Sequence, residues 1–195
     1  IVNDRVGNFK RNCINNRNWG KVRCDMVEKT DDMYRSNLAF DSLGGLSLGV
    51  NKVIFDTSRS LRDIAAYTSN PMNIVREDFN EYTNGRAIRD KVIGELNNLK
   101  TNLSPCQKAC LVTCASSSLL TYKSDLDTKY SSAIHMYEVG HGECTEFARV
   151  AEDLGRSIGI PVGIEIGFYH AFVSFKIDGI WYSAEPQSNR CEFFL

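Results

Sequence analysis

Three side chains in the last third of the chain could act together chemically: the Cys144 thiol, the His170 imidazole and the Glu185 carboxylate. A thiolate attacks a carbonyl carbon, an imidazole keeps it ionised and later protonates the leaving amine, and a carboxylate fixes the imidazole's tautomer and orientation. Cys144 follows a glycine-flanked turn, Gly140-His141-Gly142-Glu143. It also opens a segment in which Phe147, Ala151, Leu154 and Ile158 recur on one helical face. A thiol in the first turn of a helix meets unpaired backbone N–H groups and the positive end of the helix dipole, both of which favour a thiolate. The same N–H groups, that of Cys144 included, can receive the oxyanion of an attacked carbonyl. Tyr137 or Tyr169 could add a second donor or simply wall the cleft.

The flanking elements decide whether the three groups can meet. Gly159-Ile160-Pro161 closes the helix, Val162 to Gly167 reads as a buried strand, and Ala171 to Ile177 reads as the next. Asp178-Gly179 is a two-residue hairpin turn, so Ile180 to Ala184 returns antiparallel. His170 then begins one strand and Glu185 ends its partner, which brings the two side by side. Two other readings use the same residues: Cys144 as half of a disulfide, or His141, Cys144 and His170 as three zinc ligands, which leaves Glu185 without a role.

Upstream the pattern is mainly helical. Residues Ile1 to Asp41 are rich in Asn, Arg and Asp and sustain neither period, whereas Gly44 to Phe55 suggests one or two short strands. Leu61, Ile64 and Ala65 predict a helix ending at Asn70-Pro71, and a second runs from Met72 to Tyr82. After Gly85, Ile88, Val92, Leu96, Leu99 and Leu103 mark a buried stripe. Ser104-Pro105 opens a further helix to about Tyr122, carrying Cys106, Cys110 and Cys114 on one face. Three cysteines four apart cannot easily bond to one another along a straight helix, so Cys13, Cys24 and Cys191 are their natural partners. A metal cluster on that face is the alternative, with no fourth ligand in view.

Seven cysteines leave one unpaired if six form disulfides, a usage that points to a secreted or periplasmic protein. The first residue is Ile1 rather than Met, which fits a removed leader or a trimmed start. Net charge is -1 with no block of like charge, so nucleic acid is not an expected partner, and no apolar run is long enough for a transmembrane helix. The acidic pairs Asp125 with Asp127 and Asp31 with Asp32 are too sparse for a calcium site, so no cofactor is expected. At 195 residues one compact unit is expected, with residues 1–135 a mainly helical region and 136–195 the segment that carries the chemistry.

The segment GHGECTEFARVAEDLGRSIGIPVGIEIG, then YHAFVSF, then DGIWYSAEPQ resembles the transglutaminase-like superfamily over about the last 50 residues. The family's pattern is Gly-x-Cys opening a helix, Gly-Ile-Pro after it, a His-Ala-aromatic strand and an aromatic strand ending in Asp-Pro, where this chain has Glu185-Pro186. The resemblance implies a papain-like α+β fold, with the nucleophile helix packed on an antiparallel sheet. It further implies Cys144 as nucleophile, His170 as base and Glu185 where the family usually has Asp. Members cross-link glutamine to lysine, deamidate, or hydrolyse amides and peptides, and some have lost catalysis. A protein or peptide amide is therefore the substrate class to expect.

Overall fold

The computed structural model describes residues 1–27, 82–123, 132–166 and 170–195. The strands predicted over Gly44 to Phe55 and the helices predicted over 61–70 and 72–82 lie outside these, apart from Tyr82 at the last boundary. Five α-helices are present among them: α1 (Val2–Phe9), α2 (Thr83–Lys100), α3 (Pro105–Leu119), α4 (Ala133–Val139) and α5 (Cys144–Ser157). Strands β1 (Asp25–Val27), β7 (Glu192–Phe194), β6 (Ile180–Ala184), β5 (Ala171–Ile177) and β4 (Val162–Ile166) form a sheet in that spatial order. Its neighbours are antiparallel except for β1 and β7, and a parallel two-residue ladder joins β2 (Thr121–Tyr122) to β3 (His141–Gly142). The architecture is mixed α+β with an antiparallel-rich sheet.

α5 is the central element. α3, α4, β4 and β5 all pack against it, and Phe147, Ala148, Val150, Ala151 and Leu154 are all buried. The helix approaches β4 so closely that a methyl group at Gly155 would meet the Val162 side chain at 2.8 Å. One cluster of buried residues runs from Val6 and Phe9 through α2, α3 and α5 to Phe193.

Local chemistry sets the boundaries. Ser104 caps α3, with its Oγ accepting the Gln107 N–H at 3.2 Å while Gln107 Oε1 accepts the Ser104 N–H at 3.0 Å. α3 ends at Leu119, earlier than the predicted Tyr122, because Leu120 turns extended and Thr121 and Tyr122 pair with His141 and Gly142. α5 stops where Gly159 adopts φ 79°, the left-handed conformation that glycine tolerates without strain. Asp178 and Gly179 both have positive φ, as the predicted hairpin turn requires.

The first 27 residues hold more structure than their composition suggests. Val2, Val6, Phe9 and Cys13 form one stripe, carried by α1 and by a π-helical continuation over Lys10–Asn15. The Arg5 guanidinium donates to the carbonyls of Tyr137 and Leu119, so α1 satisfies chain ends left open by α3 and α4.

A polar joint ties α2, α4 and α5 together. Arg89 pairs with Asp153 through two nitrogens, at 2.7 and 2.8 Å, and the buried Tyr137 hydroxyl donates to Asp153 Oδ2 at 2.8 Å. Burial first, then the Asp153 charge, holds the Tyr137 phenol well above its usual range. Tyr137→Phe should lower unfolding free energy by about 1–2 kcal/mol, because Asp153 keeps both Arg89 contacts while losing one donor. A denaturant titration at neutral pH reads this directly.

Candidate active site

Cys144 is the first residue of α5, as predicted, with Glu143 in the N-cap position. Glu143 and Glu146 form a reciprocal capping box, in which Glu146 Oε2 accepts the Glu143 N–H at 2.8 Å and the Glu143 side chain accepts the Glu146 N–H. The Phe147 N–H is taken by the Glu143 carbonyl at 3.1 Å. What remains at the helix start is the pair of N–H groups of Cys144 and Thr145. Gly142 is required for this turn: a Cβ there would lie 2.4 Å from the Glu146 Cβ.

His170 and Glu185 meet across the β5–β6 hairpin. Val173 pairs with Ala184, and continuing that register puts Phe172 opposite Glu185 and His170 one diagonal step away on the same face. The longer glutamate spans this diagonal, so His170 Nε2 lies 2.9 and 2.8 Å from the two Glu185 oxygens. Both side chains are close to half exposed, at 44% and 45%. The hydrogen bond to Glu185 raises the His170 pKa to about 9 against partial desolvation, with the Glu185 charge and then Cys144 adding to the rise. With Nε2 committed to the carboxylate, Nδ1 is the ring nitrogen left for the thiol.

The backbone completes the arrangement. The Ala171 N–H, next in chain to His170, points at Cys144 Sγ from 3.4 Å. The cysteine, histidine and acid singled out from sequence are therefore all at the junction of α5 with the β5–β6 hairpin. Tyr137, considered as an oxyanion donor, is not there: it is buried with its hydroxyl on Asp153. Tyr169 lies outside the described residues.

Sequence reasoning missed Tyr122, which it assigned to a helix end. The β2–β3 ladder sets Tyr122 opposite Gly142, two residues before Cys144, and its ring stacks on Phe147 with centroids 6.1 Å apart. Yet 61% of Tyr122 stays exposed. Partial desolvation, followed by the charges of Cys144, Glu143 and Glu146, raises its phenol above the usual value. Both residues of this two-residue strand are exposed, so it leaves no periodic signal and composition could not have placed it.

The six other cysteines pair as Cys13–Cys114, Cys24–Cys106 and Cys110–Cys191, with Cα separations of 5.8, 6.1 and 4.9 Å, and Cys144 is free. The three cysteines of α3 thus face Cys13, Cys24 and Cys191, and the metal cluster considered for that face gives way to disulfides. Among the described residues no group of three or more His, Cys, Asp or Glu is arranged to hold a metal ion, so His141, Cys144 and His170 do not assemble as a zinc set. No helix among them is long and apolar enough to cross a membrane.

Fold and site define a mixed α+β protein with a free cysteine at a helix start beside a histidine–carboxylate pair. A comparison with protein families matches the transglutaminase-like superfamily over residues 73–186, more than half of the chain, and the chain belongs to that superfamily. The match begins well before the motifs that carry the resemblance in the last 50 residues, and takes in α2, α3 and α4. No curated protein and no solved structure matches the chain. The superfamily in general comprises proteins of cysteine-based acyl transfer or hydrolysis.

Proposed function

We propose that the chain is a thiol-dependent acyl-transfer enzyme acting on protein or peptide amides. Cys144 Sγ attacks the amide carbonyl, and the developing oxyanion is received by N–H groups at the start of α5. His170, as imidazolium, gives its proton to the leaving nitrogen, so ammonia or an amine departs and a thioester remains on Cys144. The acyl group then passes to an amine or to water, with His170 taking the proton from that acceptor. Glu185 holds the ring so that Nδ1 serves these transfers. The scheme needs no cofactor, and α5 with its sheet would form a papain-like core in a secreted or periplasmic protein.

One observation carries this reading: the only unpaired cysteine among the described residues stands beside an imidazole already held by a carboxylate. The test is iodoacetamide treatment without reductant, followed by intact mass and peptide mapping. A single adduct on Cys144, slowed in His170→Ala, is expected. A Cys144 that resists alkylation or is found in a disulfide would overturn the proposal and leave a structural or binding module.

A further inference from the structure

The three disulfides differ in what surrounds them. Cys13 and Cys114 are fully buried within the helical core. Cys24 and Cys106 are partly buried and join the residue just before β1 to the first turn of α3. At the third bond, Arg17 Nη1 lies 3.3 Å from Cys110 Sγ and 3.5 Å from Cys191 Sγ, while Nη2 donates to the Asn189 carbonyl at 2.6 Å. The guanidinium also sits 5.9 Å from the centre of the Trp19 ring, which limits its freedom to swing away.

We propose that Cys110–Cys191 is a thiol–disulfide exchange site for a dithiol reductant, opening before the other two bonds. Exposure sets the direction of attack, since Cys110 is fully buried and Cys191 only partly. A thiolate of the reductant attacks Cys191 Sγ, the Sγ–Sγ bond breaks, and its electron pair leaves on Cys110 Sγ. That departing thiolate forms directly against Arg17, and a cation beside a sulfur both lowers its pKa and improves it as a leaving group. The reductant's second thiol then displaces Cys191 from the mixed disulfide. The products are Cys110 and Cys191 as free thiols, in thiolate or protonated form, and the oxidised reductant; two electrons have moved to the protein.

The site sits at a consequential place. The Ser188 N–H donates to the Glu185 carbonyl at 3.1 Å, closing a tight turn after Glu185, and Arg17 holds the Asn189 carbonyl that follows this turn and precedes Cys191. Opening the bond removes the covalent tie between α3 and the segment that follows this turn.

The experiment titrates the folded protein, with Cys144 first blocked by iodoacetamide, with dithiothreitol at neutral pH. Samples are quenched with N-ethylmaleimide, and labelled peptides are mapped by mass. Cys110 and Cys191 should label first and together. Arg17→Gln should raise the dithiothreitol concentration needed at that bond on the order of tenfold, and Arg17→Lys by less. Prior labelling of Cys24 and Cys106, simultaneous labelling of all six, or an unchanged midpoint in folded Arg17→Gln would each overturn the proposal. The readout is mass alone, so it stands or falls independently of any activity of Cys144.

Discussion

Replacing Cys144 with alanine should abolish amide turnover, by on the order of 10⁴-fold or more, while the protein remains folded. The size follows from the scheme: without the sulfur no thioester forms, and what survives is binding plus whatever the helix-start N–H groups do for direct attack by water. The fold should tolerate the change because Cys144 is unpaired, only partly buried and at the first position of α5, where alanine is a good helix former. Matching denaturant midpoints for wild type and Cys144→Ala, with turnover measured on glutamine-containing peptides, decide it. Turnover retained within tenfold would remove the thiol from the mechanism.

Glu185→Gln should show the second large effect and a change in pH profile. In the parent, His170 carries its proton up to about pH 9, so kcat/KM should hold through the neutral range and fall as pH rises through about 9, where the imidazolium that protonates the leaving nitrogen is lost. A glutamine supplies no negative charge, and its amide can donate to Nε2, which fixes the proton on Nδ1 where it faces the thiol with the wrong polarity. The basic limb should drop towards the ordinary histidine value of 6.5, with a rate loss at pH 8 of roughly 10²- to 10⁴-fold. A limb that stays near 9 would mean that Glu185 does not set the state of His170. The same pairing bears on folding: stability from the raised His170 pKa is fully present below about pH 6.5 and declines as pH rises through about 9.

The segment from Cys144 to Glu185 was legible because each boundary carries its own chemical signal: Gly159 and Pro161 end the helix, Asp178-Gly179 fixes the hairpin register, and register in turn puts His170 and Glu185 on one face. The α1 stripe was present as Val2, Val6, Phe9 and Cys13, but Asn, Arg and Asp between them masked a helix whose stability comes from packing rather than propensity. β1 and β7 were out of reach. Each is three residues long, too short to show a period, and they pair across almost the whole chain. The shared face of Cys106, Cys110 and Cys114 announced that partners must come from elsewhere, while which partner goes to which cysteine depends on where α1 and β7 dock.

That connectivity has a consequence for limited proteolysis. Cys13–Cys114 and Cys24–Cys106 both span the stretch between Asp25 and Pro105, so a peptide bond hydrolysed anywhere within it produces two polypeptides that stay covalently joined. The nicked molecule would be a two-chain species of nearly unaltered mass, with α1 retained in the core, and would separate into fragments only after reduction.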